Sequence, residues 1–455
     1  MSTSPDGAAL LVIGGGAAGF YCAVSAAREG IKTILTENDA LGGTAFRWGC
    51  LPVKMVLDRI KQYTGPRGAR RRPVPRDLLK EVAGSLGAVE RRLQRRLEDE
   101  GVEIFHGEGG FLDERVYQTG DRRLQAGNLV IATGTSAAGL PGLPLDGRTV
   151  ISHREVFVSA TVPRTLAIVG ADVEGAELAV LFSSLGSRVT LVEQLNELLP
   201  GLDRDLAVPV ERRLLEAEVR FALGSAVAGL SRGRKGPVLE LADGRAVEAE
   251  RVLVTGIRRA NLPEGLERAG LRADDDRIPV APSLATEVPG IFAVGDVNGL
   301  LGMAHAAIQQ GILLARSLRS GKPLSGEHWS AYRHPPRAIY TIPEIGGAGS
   351  TERELREEGT AFKVTKIELS DTWRGLSRGT AAGFLKLLTG SDGRVLGIWT
   401  SGAEAAEASA LFGLLVDRQL SADELAAALV THPTVAEALR EAAARVVASR
   451  ALRGG

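Results

Sequence analysis

One supersecondary pattern occurs twice in this chain, and the repetition constrains its fold more than any other feature. A short apolar run, Leu10 to Ile13, enters Gly14-Gly15-Gly16-Ala17-Ala18-Gly19. An amphipathic stretch follows to about Arg28, then a second apolar run from Lys32 to Leu35, and then Glu37. This order reads as a βαβ unit with GxGxxG at its first turn. Gly14, Gly16 and Gly19 let backbone N–H groups approach a pyrophosphate at a helix N-terminus. Glu37, at the end of the second strand, suits ribose hydroxyls. A bare GxGxxG also fits a tight turn with no ligand. Strand, helix, strand and acid in series make dinucleotide binding the expectation. The second copy begins at Thr165 with LAIVGADVEGAELA, followed by Val189 to Val192 and Glu193. It keeps Gly170 and Gly175 but has Asp172 in the middle glycine position. The duplication predicts two dinucleotide-binding domains.

At 455 residues the chain exceeds a single hydrophobic core. Lys+Arg and Asp+Glu both number 55, so charge points to neither nucleic acid nor a basic partner. Two cysteines, Cys22 and Cys50, cannot build a secreted disulfide framework. The first apolar run has Asp6 before it and glycines within it, unlike a signal peptide. No apolar run is long enough to span a bilayer. The expectation is a cytoplasmic protein with no metal site. Thr64 to Pro75 reads as an exposed basic loop, more simply a solvated turn than an anion site.

The stretch Gly42 to Lys54, GGTAFRWGCLPVK, resembles the active-site segment of the flavoprotein disulfide reductases, the class that includes dihydrolipoamide dehydrogenase and glutathione reductase. Members carry a cysteine on each side of four residues; here Cys50 is kept and Ala45 stands where the other belongs. LVIATG up to Gly134, PGIFAVGD up to Asp296, MAHAAIQQG from Met303 and THPTVAEAL from Thr431 match further motifs in the family's order. The resemblance implies an α/β protein with two Rossmann-like dinucleotide-binding domains and a C-terminal α+β dimerisation domain. The implied divisions are FAD-binding over 1–158 and 287–330, NAD(P)-binding-like over 159–286, and dimerisation over 331–455.

By the same resemblance, Gly43, Thr44, Lys54, Thr133, Gly134, Glu177, Gly295, Asp296 and His305 join the FAD site, with Lys54 near flavin N5 and Glu177 its partner. His432 becomes an acid–base group oriented by Glu437, acting across the interface of a homodimer. Cys50 would lie against the isoalloxazine ring as a thiolate, a sulfenic acid or a proton donor; the plain alternative is an inert buried thiol. A disulfide needs two sulfurs, so lipoamide dehydrogenase activity is not expected. Asp172 places bulk and charge where a pyrophosphate approaches, and Glu174 adds another acid; weak or absent NAD(P)H binding follows. Arg47, Trp48, Trp373 and Arg374 could line a substrate pocket or simply pack. Three readings compete. The first is an FAD oxidoreductase acting on a small molecule directly at the flavin, with His432 as acid–base. The second is an NAD(P)H-dependent quinone reductase or oxidase. The third is a non-redox or structural flavoprotein.

Overall fold

The computed structural model describes residues 6–64, 73–234, 236–379 and 382–454; most of the expected basic loop, 65–72, lies outside them. Compactness divides the chain into two units, one of residues 1–55, 77–161 and 257–329, the other of 56–76, 162–256 and 330–455.

The first unit is built on a seven-stranded sheet. Asp6–Ile13 lies centrally, parallel to Thr33–Glu37 on one side and to Arg122–Ile131 on the other. Ile291–Ala293 adds in parallel to Arg122–Ile131, and Glu103–His106 to Thr33–Glu37. The central strand is apolar at every residue from Leu10 to Ile13, as burial of both faces demands. The helices Ala17–Arg28 and Ala304–Ser320 pack together, and Gly311 permits it: a Cβ there would meet Ala18 O at 2.4 Å. Strand order reverses about Asp6–Ile13, and in sheets of this kind ligands bind outside the carboxyl ends of the strands at such a reversal. The stretch 257–286, expected with the second dinucleotide domain, instead packs in this unit. Arg258–Ala260 pairs with Thr135–Ala137, and Leu266, Ala269, Leu271 and Ile278 join the core under the sheet.

The second unit holds the repeated motif. Thr165–Val169 runs parallel to both Arg188–Glu193 and Arg251–Val254, with Arg220–Leu223 beyond Arg188–Glu193. A three-stranded antiparallel sheet of Val227–Arg232, Pro237–Leu241 and Ala246–Glu248 also lies in this unit, and a further antiparallel sheet is ordered Arg337–Ile339, Ile345–Gly349, Val395–Ser401, Phe384–Thr389 and Lys363–Glu368. Ala438, Leu439, Ala442 and Val446 of the last helix, Val435–Gly454, share a core with Leu385, Leu387 and Ile398 of that sheet. No helix among the described residues is long and apolar enough to cross a membrane.

Candidate active site

The first glycine turn is shaped by contacts that leave its ligand side clear. Gly14 has φ +103°, and a Cβ there would meet Ala132 O at 2.7 Å. At Gly19 a Cβ would meet Gly14 O at 1.8 Å, so helix and strand can approach only without a side chain. Gly16 differs: its φ of −69° suits any residue, and the nearest atom to a built Cβ is Gly43 Cα at 4.0 Å. Packing therefore does not require glycine at 16, whereas a bound group would. Gly134 also has nothing within 4 Å of a Cβ position, although its φ of +64° favours glycine on backbone grounds as well. The helix that begins at Ala17 has no acid in its first turn and no side-chain cap. Thr133 Oγ1 is buried with no hydrogen-bond partner among the described residues. An uncapped helix N-terminus, a clear glycine cradle and a spare hydroxyl fit a dinucleotide such as FAD.

Glu37 braces this turn. Its carboxylate accepts from Gly15 N at 2.8 Å and Asp39 N at 2.9 Å. Burial raises its pKa, partly opposed by those amides. The second copy repeats the arrangement: Glu193 accepts from Ala171 N at 2.8 Å and Leu195 N at 2.9 Å. Gly175 mirrors Gly19, its built Cβ lying 1.9 Å from Gly170 O. Asp172, however, caps the helix Val173–Ser184, its side chain accepting from Gly175 N at 3.0 Å. Burial raises the Asp172 pKa; the Gly175 amide opposes this, while Glu174 and Glu193 add to it.

Residues Thr44–Trp48 form a π turn, closed by Gly49 N donating to Thr44 O at 2.7 Å. The sequence reading missed it. Such turns recur at functional sites. Ala45 and Cys50 are the next pair at that five-residue spacing. Cys50 is exposed and opens the helix Cys50–Thr64, so its thiol is not buried in this chain. Cys22 is the inert one: burial pushes its thiol up to about 12. Lys54 lies half-buried in the helix that Cys50 opens. Arg47 and Arg154 place their guanidinium carbons 4.9 and 4.8 Å from the Trp48 ring centroid. Arg154 pairs with Asp39 at 2.9 Å and Arg47 with Glu90 at 3.6 Å. The indole thus contacts two guanidinium groups of the protein itself, while Arg47 Nε and Nη1 are buried with no hydrogen-bond partner among the described residues.

A second missed feature draws Thr44 and Asp296 together. Arg258 donates to Thr44 Oγ1 at 3.1 Å, to Thr135 Oγ1 at 2.7 Å and to Thr135 O at 2.7 Å. Thr135 in turn donates to Asp296 at 3.1 Å. The signal was the basic pair Arg258-Arg259 directly after a buried strand, where the chain returns to the first unit. Gly295 N donates to Gln310 at 2.7 Å, which fixes the turn that presents Asp296. His305 stands in the first turn of Ala304–Ser320, and partial desolvation lowers its pKa.

In the second unit His432 Nδ1 lies 3.0 Å from Glu437 Oε1, and Thr434 N donates to the other carboxylate oxygen at 3.1 Å. The hydrogen bond to His432, helped by Thr434, holds Glu437 below the usual carboxylate range. His432 is exposed, and Trp373, itself 65% exposed, sits edge-on with ring centroids 6.2 Å apart. No spacing in the sequence announced that contact. Arg374 pairs with Glu404 instead. Glu177 is buried and accepts from Tyr340 N at 2.9 Å. Asp203, Asp205 and Glu352 are close enough to hold a cation. Lys386 fills that place, its ammonium 2.7, 2.8 and 2.9 Å from them.

Residues 8–311 match the family model described as pyridine nucleotide-disulphide oxidoreductase, and residues 335–443 match its dimerisation domain. Dihydrolipoyl dehydrogenase 2 of Haloarcula marismortui is 31% identical, with 96% of each chain covered. Dihydrolipoyl dehydrogenase of Bacillus subtilis is also 31% identical, over 95% of this chain and 97% of its own. The crystal structure of LpdA from Mycobacterium tuberculosis aligns with a TM-score of 0.86 at 26% identity, over 96% of this chain and 99% of that one. The HOCl-induced flavoprotein disulfide reductase RclA of Escherichia coli shares the fold, with a TM-score of 0.86 at 22% identity, over 97% of this chain and 100% of that one.

Proposed function

Since the chain belongs to the pyridine nucleotide-disulphide oxidoreductase family, we propose that it is an FAD-dependent oxidoreductase that has left disulfide chemistry and exchanges electrons directly between flavin and a small substrate. One observation carries this reading. The His432–Glu437 pair is assembled at 3.0 Å while residue 45 is an alanine. Proton-transfer machinery is retained and the thiol that would exchange with a disulfide substrate is gone.

In this reading Gly14, Gly16 and Gly19 seat the FAD pyrophosphate and Glu37 meets the ribose. Gly43, Thr44, Thr133, Gly134, Gly295, Asp296 and His305 line the rest, with Lys54 and Glu177 near the ring. When bound, FAD supplies a two-electron acceptor and donor. The chain's own groups manage protons. Glu437 faces Nδ1 of His432, which favours the tautomer with a proton on Nδ1 and leaves Nε2 to exchange one with substrate. Cys50 opens a helix, where the dipole favours a thiolate. The dimerisation domain supports a homodimer in which His432 serves the partner's flavin. The exposed Trp373, Leu376, Leu414 and Leu429 would then be covered.

A second reading, an NAD(P)H-dependent quinone reductase or oxidase, is favoured by the family model spanning both dinucleotide folds. Anaerobic titration of the purified protein with NADH and NADPH, followed by air, separates the two. The first reading expects the flavin to stay oxidised with both donors. Bleaching by either, reversed by air, would establish the second.

A further inference from the structure

The two glycine turns have the same backbone and different contents. Gly16 has φ −69° and ψ −170°; Asp172, its counterpart, has φ −68° and ψ −169°. In the first turn the space beyond that Cα is clear: the nearest atom to a built Cβ is 4.0 Å away, and Gly134 faces nothing within 4 Å. In the second, Gly256 takes the place of Gly134, after Thr255 as Gly134 follows Thr133. A Cβ on Gly256 would fall 2.7 Å from Asp172 Oδ2. Position 256, at φ +77°, favours glycine on backbone grounds, and the Asp172 carboxylate reaches into the space beside it. The other oxygen takes the Gly175 amide, a donor that an incoming phosphate would need. Two further acids face the same place. Glu174 Oε2 reaches 3.5 Å from Gly256 N, and Glu193 braces the loop from beneath.

Volume, donor and charge are therefore all taken, and the NAD(P) that the family implies does not fit this turn. We propose that Asp172 is a built-in anion that stands in for a dinucleotide phosphate. The second Rossmann-like domain is then a self-liganded scaffold that admits no NAD(P)H. Given the flavin reading above, the donor class is narrowed to a reducing substrate that meets the flavin itself. Protonating Asp172 would remove its charge and leave its volume, so mild acid does not open the turn. Like charges ~4 Å apart at an effective dielectric of ~20 weaken binding by about a thousandfold. An otherwise micromolar dinucleotide would bind at no better than on the order of 1 mM.

The test is calorimetric titration of the FAD-saturated protein with ADP-ribose and with NADH, comparing the natural chain with Asp172→Gly and Asp172→Ser. Ser keeps a helix cap and covers the case in which Gly folds poorly. The expected result is no saturable binding to the natural chain up to about 1 mM, and a gain of at least about a hundredfold in a folded variant. Micromolar binding of either ligand to the natural chain overturns the proposal, as does the absence of any gain in both variants. ADP-ribose has no nicotinamide and gives no hydride to flavin, so its binding reports on the closed turn alone. Loss of the direct-transfer reading on other grounds would leave this result standing.

Discussion

Gly16→Asp should convert the first turn into a copy of the second. The substitution fits: Asp172 already adopts φ −68° and ψ −169°, within a degree of the Gly16 backbone, and a Cβ at 16 is clear to 4.0 Å. The natural helix has no side-chain cap at this position, and Asp in place of Gly adds a few tenths of a kcal/mol to helix stability. Flavin affinity should move the other way. A carboxylate ~4 Å from the pyrophosphate at an effective dielectric of ~20 costs about 4 kcal/mol. That is roughly a thousandfold in Kd, before any loss of space. The assays are flavin retention through gel filtration and a fluorescence titration of the apoprotein with FAD, beside a melting curve without flavin. The variant should melt at or slightly above the apoprotein of the natural sequence and emerge colourless. A yellow, stoichiometrically loaded variant with unchanged Kd would refute both the assignment of this turn to FAD and the electrostatic argument.

Lys386→Met should destabilise the second unit by about 3–5 kcal/mol, because it strands the three carboxylates around a fully buried ammonium. For a unit of this size that is a fall of roughly 6–20 °C in its thermal transition; a loss under ~1 kcal/mol would show that solvent reaches the cluster. Burial acts to lower the Lys386 pKa, but hydrogen bonds to Asp203, Asp205 and Glu352 outweigh it and hold it raised. Its contribution is therefore complete below the unfolded-state value of about 10.4 and lost as pH rises through the folded one. The natural protein should weaken in that alkaline range and Lys386→Met should not. Iodoacetamide should modify Cys50 and spare Cys22, which is buried with its thiol raised to about 12. Added FAD should slow the Cys50 reaction, and an unchanged rate would remove Cys50 from the flavin site.

The fold was legible because periodicity and glycine spacing are local. The run Leu10–Ile13, the turn at Gly14–Gly19 and the acid at Glu37 all stand where the pattern put them. The same is true of Thr165–Val169, Val173–Ser184 and Glu193. Asp172 in the middle glycine position was legible for the same reason, since the motif that it interrupts spans only six residues. Contacts made by distant segments were not. Arg258 reaches Thr44 from 214 residues further along the sequence. Trp373 meets His432 through tertiary packing, and Lys386, in the strand Phe384–Thr389, meets Asp203 at the head of the helix Arg204–Glu216. The π turn at Thr44–Trp48 was missed because no hydrophobic period distinguishes one extra residue in a single turn. The stretch 257–286 was placed in the wrong domain because its strand Arg258–Ala260 pairs with Thr135–Ala137, a partner no local signal names.

The central claim is that flavin alone is the redox centre. Anaerobic titration of the purified protein with dithionite, followed by visible absorbance, tests it most directly. A dithiol–disulfide pair is a two-electron couple in its own right, so it would add to the flavin's capacity. The account predicts a yellow protein whose flavin bleaches fully with one two-electron equivalent per FAD. A colourless protein, or one that takes up two equivalents before full bleaching, would contradict it.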